Sequence, residues 1–454
     1  MARTSWVPVP RNFADPGSAK RAVDRLRRPR NRRRTGSAGQ QAPVGEPMLP
    51  LQQMRVLDLT RFLTGPYCTM VLADMGADVV KIERPHHGDD TRRLGPHRNG
   101  ESYCFAMVNR NKRSVGLDIS TPQGRDVLLA IAATADVVVE NFRPGVTGRL
   151  GIDYDAVRDV KPEVIYCSIT GFGQDGPYRD RPGFDIIAQG VCGFLRMTGH
   201  PGDRPAKFGI AINDLVAGST AVQAILSAYI HRLTTGTGQY IDLSLVDAGL
   251  AMTIWESAAY FGSGELPAAT GTRHRRNAPY QAYRTSDGYV TIGGNTEGMW
   301  KALCMQVLDA PRLLDDPRYQ GKDARLAHVE ELERDMEEIL ETMPTSHWID
   351  RLERAGVPGG PVYTYDQTLA DEHVIARGMV AEMTHPRMGV ISTLAPPIKF
   401  SETPLHLRSP APWIGQHTVE VLREIGLDDR HVDELFRAGT LYEDVSGPTT
   451  EDSH

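Results

Sequence analysis

The sequence lacks several patterns that would assign it at once to a common class of protein. None of its five cysteines forms a C-x-x-C pair, and an odd number argues against a disulfide framework, so we expect free, buried thiols and a reducing compartment. No uninterrupted apolar run reaches the roughly 18 residues that a membrane span needs. No secretory signal is visible either. Adjacent histidines such as His86 and His87 rarely face one ion from a loop, and we predict no bound metal.

Charge is spread unevenly along the 454 residues, whose formal net charge is −6. Residues 1–34 hold eleven Lys or Arg against two Asp, a net of +9, which leaves −15 for the remainder. An acidic remainder gives no indication of a nucleic-acid partner. Residues 1–47, which include the basic run Arg25–Arg34, are predicted to be a disordered extension, with an organellar transit peptide as the alternative. The expected location is therefore the cytoplasm, or the mitochondrial matrix in the second case.

The fingerprint G-x-G-x-x-G of dinucleotide-binding proteins is also missing, although the surrounding pattern is of that type. Val56–Leu59 is a short apolar run, and Pro66 fits the first turn of a following helix. Val79–Ile82 is a second predicted strand, which ends at Glu83 and Arg84. This order predicts a βαβ unit with a ligand crevice at the carboxyl ends of its strands. Glu83 suits a ribose hydroxyl and Arg84 a ribose phosphate, but a solvated strand end would look the same.

The alternation of strands and helices continues along the chain. Further strands are predicted at Val137–Glu140, Val164–Ile169 and Tyr240–Leu245, with helical periodicity between them. We therefore predict an α/β fold with a Rossmann-like parallel sheet, helices on both of its faces, and a smaller α+β domain. The predicted division is 48–262 for the first part of the large domain, 268–376 for the small domain, 377–440 for a return to the large domain, and 441–454 for a disordered tail.

Asp214 is the main candidate for chemistry. It lies in the stretch KFGIAINDLVAG, between a predicted strand at Phe208–Ile212 and a long predicted helix. At the N-cap of that helix, an aspartate would stabilise it by about 1 kcal/mol, which is sufficient reason for its presence. A helix N-terminus also favours the ionised carboxylate that a nucleophile at neutral pH requires. The residues alone leave both interpretations open.

Several motifs occur in one order between about Met54 and Asp429, namely LDLTRFLTGPYCTMVLADMGADVVKIERP, GDDTR, NRNKRS and VENFRPG. With them the chain resembles the class III CoA-transferases of the CaiB/BaiF type. This family includes formyl-CoA transferases, succinyl-CoA–dicarboxylate transferases, carnitine CoA-transferases and α-methylacyl-CoA racemases. The resemblance implies a CoA-binding large domain, an interlocked homodimer, and coenzyme A or acyl-CoA as substrate with no permanently bound cofactor.

The resemblance also implies site residues. Asp214 would attack the donor thioester, form a mixed anhydride and then carry CoA as an aspartyl thioester. The positions that contact CoA in the family fall here on Arg61, Phe62, Thr64, Arg84, Leu117, Asn141, Phe142 and Arg149. Arginines would bind phosphate groups bidentately, and a phenylalanine would cover the adenine.

Two departures from the family pattern narrow the expected reaction. Racemases have Gly-His-Asp where this chain has Gly183-Phe184-Asp185, and a phenylalanine cannot transfer a proton. Formyl-CoA transferases carry an oxalate-binding Gln where this chain has Leu63, which disfavours oxalate.

The stretches YCSITGFGQDGP and NAPYQAYRTSDGYVTIGG look most like the succinyl-CoA–dicarboxylate transferases. The expected function is thus transfer of CoA from an acyl-CoA, such as succinyl-CoA, to a small carboxylic or dicarboxylic acid. The alternatives are a racemase or epimerase and a non-catalytic CoA-binding protein. Arg273, Arg275 and Arg276 could meet a second carboxylate of the acceptor or form a solvent-facing loop.

Overall fold

The computed structural model describes residues 48–446, which divide into two compact units. The larger unit holds residues 48–192, Ile210–Thr253 and the described chain from Gly378 onward, and the smaller holds Gly193–Gly209 and Ile254–Arg377. The predicted boundaries place 193–209 and 254–262 in the large domain, whereas the structure places them in the smaller unit. The difference arises because no change in composition or periodicity marks the points where the chain passes from one unit to the other. The predicted basic extension lies outside the described residues.

Fourteen strands occur in the described part: β1 Arg55–Asp58, β2 Asp78–Glu83, β3 His97–Arg98, β4 Glu101–Ser102, β5 Lys112–Leu117, β6 Val137–Glu140, β7 Ile165–Thr170, β8 Tyr240–Ser244, β9 Tyr280–Arg284, β10 Tyr289–Gly293, β11 Gly359–Pro361, β12 Val380–His385, β13 Gly389–Leu394 and β14 Leu441–Tyr442. The α-helices of residues 48–446 are α1 Thr64–Asp74, α2 Tyr103–Asn109, α3 Pro122–Ala132, α4 Val146–Leu150, α5 Tyr154–Val160, α6 Asp185–Val191, α7 Phe194–Met197, α8 Ile212–Thr235, α9 Leu245–Leu250, α10 Ile254–Ser263, α11 Glu297–Ala302, α12 Arg312–Asp315, α13 Lys322–Ala327, α14 Val329–Leu340, α15 Thr345–Ala355, α16 Tyr365–Ala370, α17 Glu372–Ala376, α18 Thr418–Glu424 and α19 Asp429–Arg437.

The larger unit is built on a seven-stranded sheet, in the order β14-β5-β2-β1-β6-β7-β8 within the described chain. The six strands from β5 to β8 are parallel, and β14 is antiparallel at one edge. The chain runs from β1 outward through β2 and β5, then returns to β6 on the other side of β1. The space between β1 and β6 is therefore a topological switch point, where ligands bind in open α/β sheets.

Side chains of the central strands alternate between two hydrophobic cores. Val56 and Val79 belong to a core that also includes residues of α1 and α8, whereas Leu57 and Val80 belong to a core with residues of α3 and α18. Both faces of the sheet are buried, as expected of parallel strands that are largely apolar. The predicted parallel sheet with helices on both faces is confirmed.

Two segments differ from the prediction. Phe208–Ile212 is not a strand, because it has no neighbouring strand to pair with and its apolar residues Phe208 and Ile210 are 44% and 54% exposed. Conversely, Leu441 and Tyr442 were assigned to a disordered tail but form β14. The Leu441 side chain is buried in the core, and its backbone pairs with that of Leu117.

The smaller unit has an antiparallel sheet in the order β11-β10-β9. Its core includes Trp300, Leu303, Met336 and Trp348. Helix α11 continues at its end as a π-helical turn at Leu303–Val307. Among the described residues, no helix combines the length and the apolar character needed to cross a membrane.

Candidate active site

The loop after β1 and the residue after β6 are joined at the switch point by one side-chain amide. Asn141 Oδ1 accepts from the backbone N–H of Arg61 at 2.8 Å, and Asn141 Nδ2 donates to the Arg61 carbonyl at 2.7 Å. The amide thus bonds both sides of a single residue. Asn141, predicted to contact CoA, fixes the backbone from which Arg61 and Phe62 project.

Phe62 has an unusual backbone conformation, with φ of 65°. A non-glycine residue in the left-handed region costs roughly 1–2 kcal/mol and requires support from its surroundings. Its backbone N–H donates to Asp89 Oδ1 at 3.2 Å. Its ring lies edge-on to that of Phe184, with centroids 6.3 Å apart. The conformation is therefore supported by two residues outside the loop, Asp89 after β2 and Phe184 before α6.

Four fully or nearly fully buried charges lie beneath this loop: Asp58, Lys81, Asp89 and Lys112. Lys112 Nζ is 3.1 Å from Asp58, and Lys81 Nζ is 2.9 Å from Asp89. Lys81 also donates to the Thr60 carbonyl at 2.7 Å, while Asp58 accepts from the Thr60 N–H at 2.9 Å. The residue before Arg61 is thus bonded on both sides by buried ions.

The electrostatics of this cluster follow from its burial. Burial raises the pKa of Asp58, but Lys112 and Lys81, with hydroxyls of Thr60 and Thr69, outweigh it and bring the pKa to about 2. Burial lowers the pKa of Lys112 to about 8 despite the attraction of Asp58. The sequence contains a signal for this buried cluster, because Asp58 and Lys81 each interrupt an otherwise apolar strand. In the structure the two residues are register partners on neighbouring strands.

The predicted site residues divide between two neighbouring cavities. A cavity of about 410 Å³ is lined by Asp214 together with five of the predicted CoA-contacting residues, Arg61, Phe62, Thr64, Asn141 and Phe142. A second cavity, of about 280 Å³, is lined by Arg84 and Leu117 and shares Arg61 and Phe142 with the first. Arg149 lies in the last turn of α4, is exposed, and lines neither cavity.

Arg61 and Arg84 are held on either side of one carboxylate. Asp90 Oδ2 lies 3.2 Å from Arg61 and Asp90 Oδ1 lies 3.0 Å from Arg84, and both guanidinium groups remain partly exposed. Glu83, by contrast, is buried and accepts from Arg92 and Ser114. Of the two residues at the end of β2, Glu83 therefore holds the surrounding chain in place through buried hydrogen bonds, whereas Arg84 is available to a ligand.

Asp214 lies in the first turn of α8, whose N-cap is Ala211, so the predicted N-cap position is wrong by three residues. Thr64 Oγ1 donates to Asp214 Oδ1, and the N–H groups of Asn213 and Asp214 donate to Asp185 at 2.9 and 3.4 Å. Asp185 thus occupies the helix N-terminus, a role that the sequence did not reveal.

The pKa of Asp214 is raised to about 6, because burial disfavours its charge and Asp185 adds repulsion, while the Thr64 hydrogen bond opposes both. The shift is upward, opposite to the expected influence of the helix N-terminus. Even so, a pKa near 6 leaves the carboxylate mostly ionised at pH 7. The group combines charge at neutral pH with limited solvation, as an oxygen nucleophile requires.

The chemistry available in this cavity is restricted. Among its described lining residues, Asp214 is the single group that can exchange a proton near neutral pH, since the others that carry charge are arginines. Phe184 lines the cavity where the racemase motif has histidine. Displacement by one carboxylate fits this arrangement better than proton exchange between two bases.

Residues 48–446 contain no group of three or more His, Cys, Asp or Glu side chains arranged to hold a metal ion. Asp89 and Asp90 are engaged by Lys81 and Arg61, and the His86 ring packs on Tyr442 with centroids 4.2 Å apart. The five cysteines are free thiols.

Comparison with known proteins gives one consistent result. The family described as CoA-transferase family III matches residues 51–418. A succinyl-CoA:glutarate CoA-transferase of Homo sapiens is 38% identical over 394 residues, which cover 86% of this chain and 90% of the relative. A succinate–glutarate CoA-transferase of Agrobacterium fabrum is 39% identical and covers 84% and 97%. The crystal structure of a CAIB/BAIF family protein from Brucella suis superposes with a TM-score of 0.76 at 37% identity, covering 83% and 99%.

Proposed function

Because the chain belongs to CoA-transferase family III, we propose that it moves CoA from succinyl-CoA to a small dicarboxylic acid, with Asp214 as the covalent nucleophile. The names of the human and Agrobacterium relatives support this choice of donor and acceptor class. The observation that carries the proposal is the position of Asp214, ionised at neutral pH on a cavity with no second base among its described lining residues.

In the first half of the proposed reaction, an Asp214 carboxylate oxygen attacks the thioester carbonyl of succinyl-CoA. The C–S bond breaks, the sulfur leaves as CoA thiolate, and a succinyl–aspartyl anhydride remains. The thiolate then attacks the aspartyl carbonyl of the anhydride and releases succinate. The product is an aspartyl-CoA thioester, which conserves the energy of the original thioester.

In the second half, a carboxylate of the acceptor attacks the aspartyl thioester and again displaces CoA thiolate. The thiolate attacks the acceptor carbonyl of the new anhydride, which forms the product thioester and restores Asp214. No proton has to be taken from carbon at any step. The arrangement therefore requires one carboxylate, held in place by Thr64 and the first turn of α8.

Binding of CoA is assigned to the two neighbouring cavities. Arg61 and Arg84, held by Asp90, would contact the phosphates as forked donors. Phe142 lines both cavities and would cover the adenine, with the Arg61 guanidinium 5.3 Å from its ring centroid. Arg149 would act from the exposed end of α4.

We also propose a homodimer. The smaller unit contains α10, in which no residue is buried, and Trp255 and Phe261 are 80% and 83% exposed. Large exposed apolar side chains on a helix with no buried residue are typical of an interface between chains. The free thiols support a reducing location such as the cytoplasm, with the mitochondrial matrix as the alternative.

Intact-protein mass spectrometry tests the proposed function. Wild-type protein mixed with succinyl-CoA and quenched should gain the mass of CoA less one water, and excess dicarboxylate should remove the adduct. Asp214→Ala should show no adduct. Absence of an adduct in wild type, together with deuterium incorporation at the α-carbon of a branched acyl-CoA, would contradict the transferase and support a racemase.

The rate at which Asp214 attacks succinyl-CoA should depend on pH. Because the carboxylate must be ionised to attack, kcat/KM for succinyl-CoA should rise through about pH 6, where half of it is ionised, and level off above about pH 7. Thr64→Val removes the hydrogen bond that favours the ionised form, so the rising limb should move to higher pH, whereas Thr64→Ser should retain it. Identical profiles for wild type and Thr64→Val would show that this bond does not set the pKa of the nucleophile.

A further inference from the structure

The cavity of about 410 Å³ that Asp214 lines carries more positive charge than Asp214 balances. The arginines among its lining residues are Arg61, Arg143, Arg179 and Arg181. Arg61 pairs with Asp90, and Arg179 Nε lies 3.5 Å from Asp180, which is itself largely exposed. For Arg143 and Arg181, no carboxylate partner occurs within residues 48–446. The cavity thus has cationic groups available for an anionic substrate.

Arg179 and Arg181 are carried by a loop that is closed at its base beside the cavity. A Cβ on Gly171 would lie 2.7 Å from the Cα of Gly183, so the two chain segments touch where both line the cavity. Within the loop, the Tyr178 ring is edge-on to Phe172 at 5.7 Å. A loop with adjoining ends and internal aromatic packing is preorganised to present side chains.

The guanidinium of Arg181 is oriented by stacking. It lies 3.6 Å from the Tyr178 ring centroid, and the backbone N–H of Arg181 donates to the Tyr178 carbonyl at 2.9 Å. Stacking uses the face of the guanidinium and leaves its N–H edge for a planar acceptor. A carboxylate matches that edge bidentately.

We propose that Arg181, assisted by Arg179, binds the distal carboxylate of the dicarboxylic substrate while its reacting carboxylate meets Asp214. This assignment rests on the proposed function. The alternative arginines of the sequence analysis already have acidic partners: Arg273 pairs with Glu330 and Glu333, Arg275 with Glu256, and Arg276 with Glu265. Arg181 has the unpaired charge, the orientation and the position on the Asp214 cavity.

The rest of the cavity fits the carbon chain between the two carboxylates. Leu63, Leu94 and Phe184 give it apolar lining. Apolar contacts discriminate weakly between chains that differ by one methylene, whereas a charged partner discriminates strongly against a substrate that lacks the matching group. Arg181 therefore determines the class of acid accepted, and the apolar lining contributes little to the choice of chain length.

The test compares a dicarboxylate with a monocarboxylate of equal length. With succinyl-CoA at saturation, Arg181→Gln should raise KM for pentanedioate by about 20-fold to 100-fold with kcat changed less than about threefold, and Arg181→Lys should recover part of the loss. The variant's kcat/KM for pentanoate should stay within about threefold of wild type, because a monocarboxylate does not use the arginine. Arg158→Gln, an exposed arginine paired with Asp155, is the matched control.

A second readout separates this inference from the proposed function. Formation of the CoA adduct from butyryl-CoA, which has no distal carboxylate, should be as fast in Arg181→Gln as in wild type, whereas loading from succinyl-CoA should slow. If wild type forms no adduct with any acyl-CoA, the proposed function fails. If wild type forms the adduct and Arg181→Gln keeps the wild-type KM for pentanedioate, the proposed function stands and the assignment of Arg181 is overturned.

Discussion

Replacement of Asp214 by Asn should lower kcat/KM for CoA transfer by at least about 10⁴-fold, the scale seen when a covalent nucleophile is removed. Asn has nearly the same size and can still accept the hydrogen bond from Thr64, so the loss would come from the missing nucleophile and not from altered packing. Steady-state transfer from succinyl-CoA to a dicarboxylate measures it. The variant should still bind CoA, because Arg61 and Arg84 are unchanged.

Asp429→Asn is a suitable control, since Asp429 also lies in the first turn of a helix but is exposed and outside both cavities. It should retain wild-type activity. A comparable loss in both variants would mean that helix stability, and not nucleophilic attack, explains the effect. A largely active Asp214→Asn would remove the proposed mechanism.

Asp214→Asn should also increase the stability of the fold at neutral and alkaline pH. The folded-state pKa of Asp214, about 6, lies above the ordinary value of an aspartate, so this carboxyl group destabilises the fold progressively as the pH rises from about 4, and the full penalty is present above about pH 6. Asn removes that penalty, and we expect a gain of about 1–3 kcal/mol at pH 8 that vanishes as the pH approaches 4. A catalytic carboxylate with limited solvation is a case where function and stability oppose each other.

The sequence predicted the large sheet well, because its strands are largely apolar and alternate with helices at regular spacing. The family resemblance of its motifs is confirmed by the match over residues 51–418. It predicted the division between units less well. Gly193–Gly209 belongs to the smaller unit although its composition resembles that of its neighbours. Strand β14 was missed because two residues carry too little periodicity to predict pairing.

In the candidate site, the features that the sequence predicts are more clearly separated from those that only the structure shows. Asp214 could be singled out only through resemblance, since its position in the sequence equally suits a helix cap. The interactions that hold the site join residues far apart in the chain. Asn141 and Arg61 are 80 positions apart, and Thr64 and Asp214 are 150 apart. No local pattern predicts such bonds, so Asp185, Asp89 and the closed loop with Arg181 emerged only from the fold.

Loss of Asp58 should strongly destabilise the larger unit. Asp58→Ala would leave Lys112 buried without its carboxylate partner, although Lys81 keeps Asp89, and we expect the free energy of unfolding to fall by about 3–5 kcal/mol. Asp155→Ala breaks an exposed pair with Arg158 and should cost less than about 0.5 kcal/mol. Urea denaturation followed by circular dichroism measures both, and equal losses would contradict the importance of the buried cluster.

A double-mutant cycle shows whether the loss arises from the stranded charge. Lys112→Met in the Asp58→Ala background removes the unpaired ammonium, so the double variant should be more stable than the sum of the single losses predicts by about 1–3 kcal/mol. Additive losses would mean that the residues act through packing alone. The buried cluster also bears on function, because Asp58 and Lys81 bind the backbone N–H and carbonyl of Thr60. Thr60 directly precedes Arg61 and Phe62, which line the Asp214 cavity. An unpaired lysine beneath this loop should therefore also raise KM for the acyl-CoA.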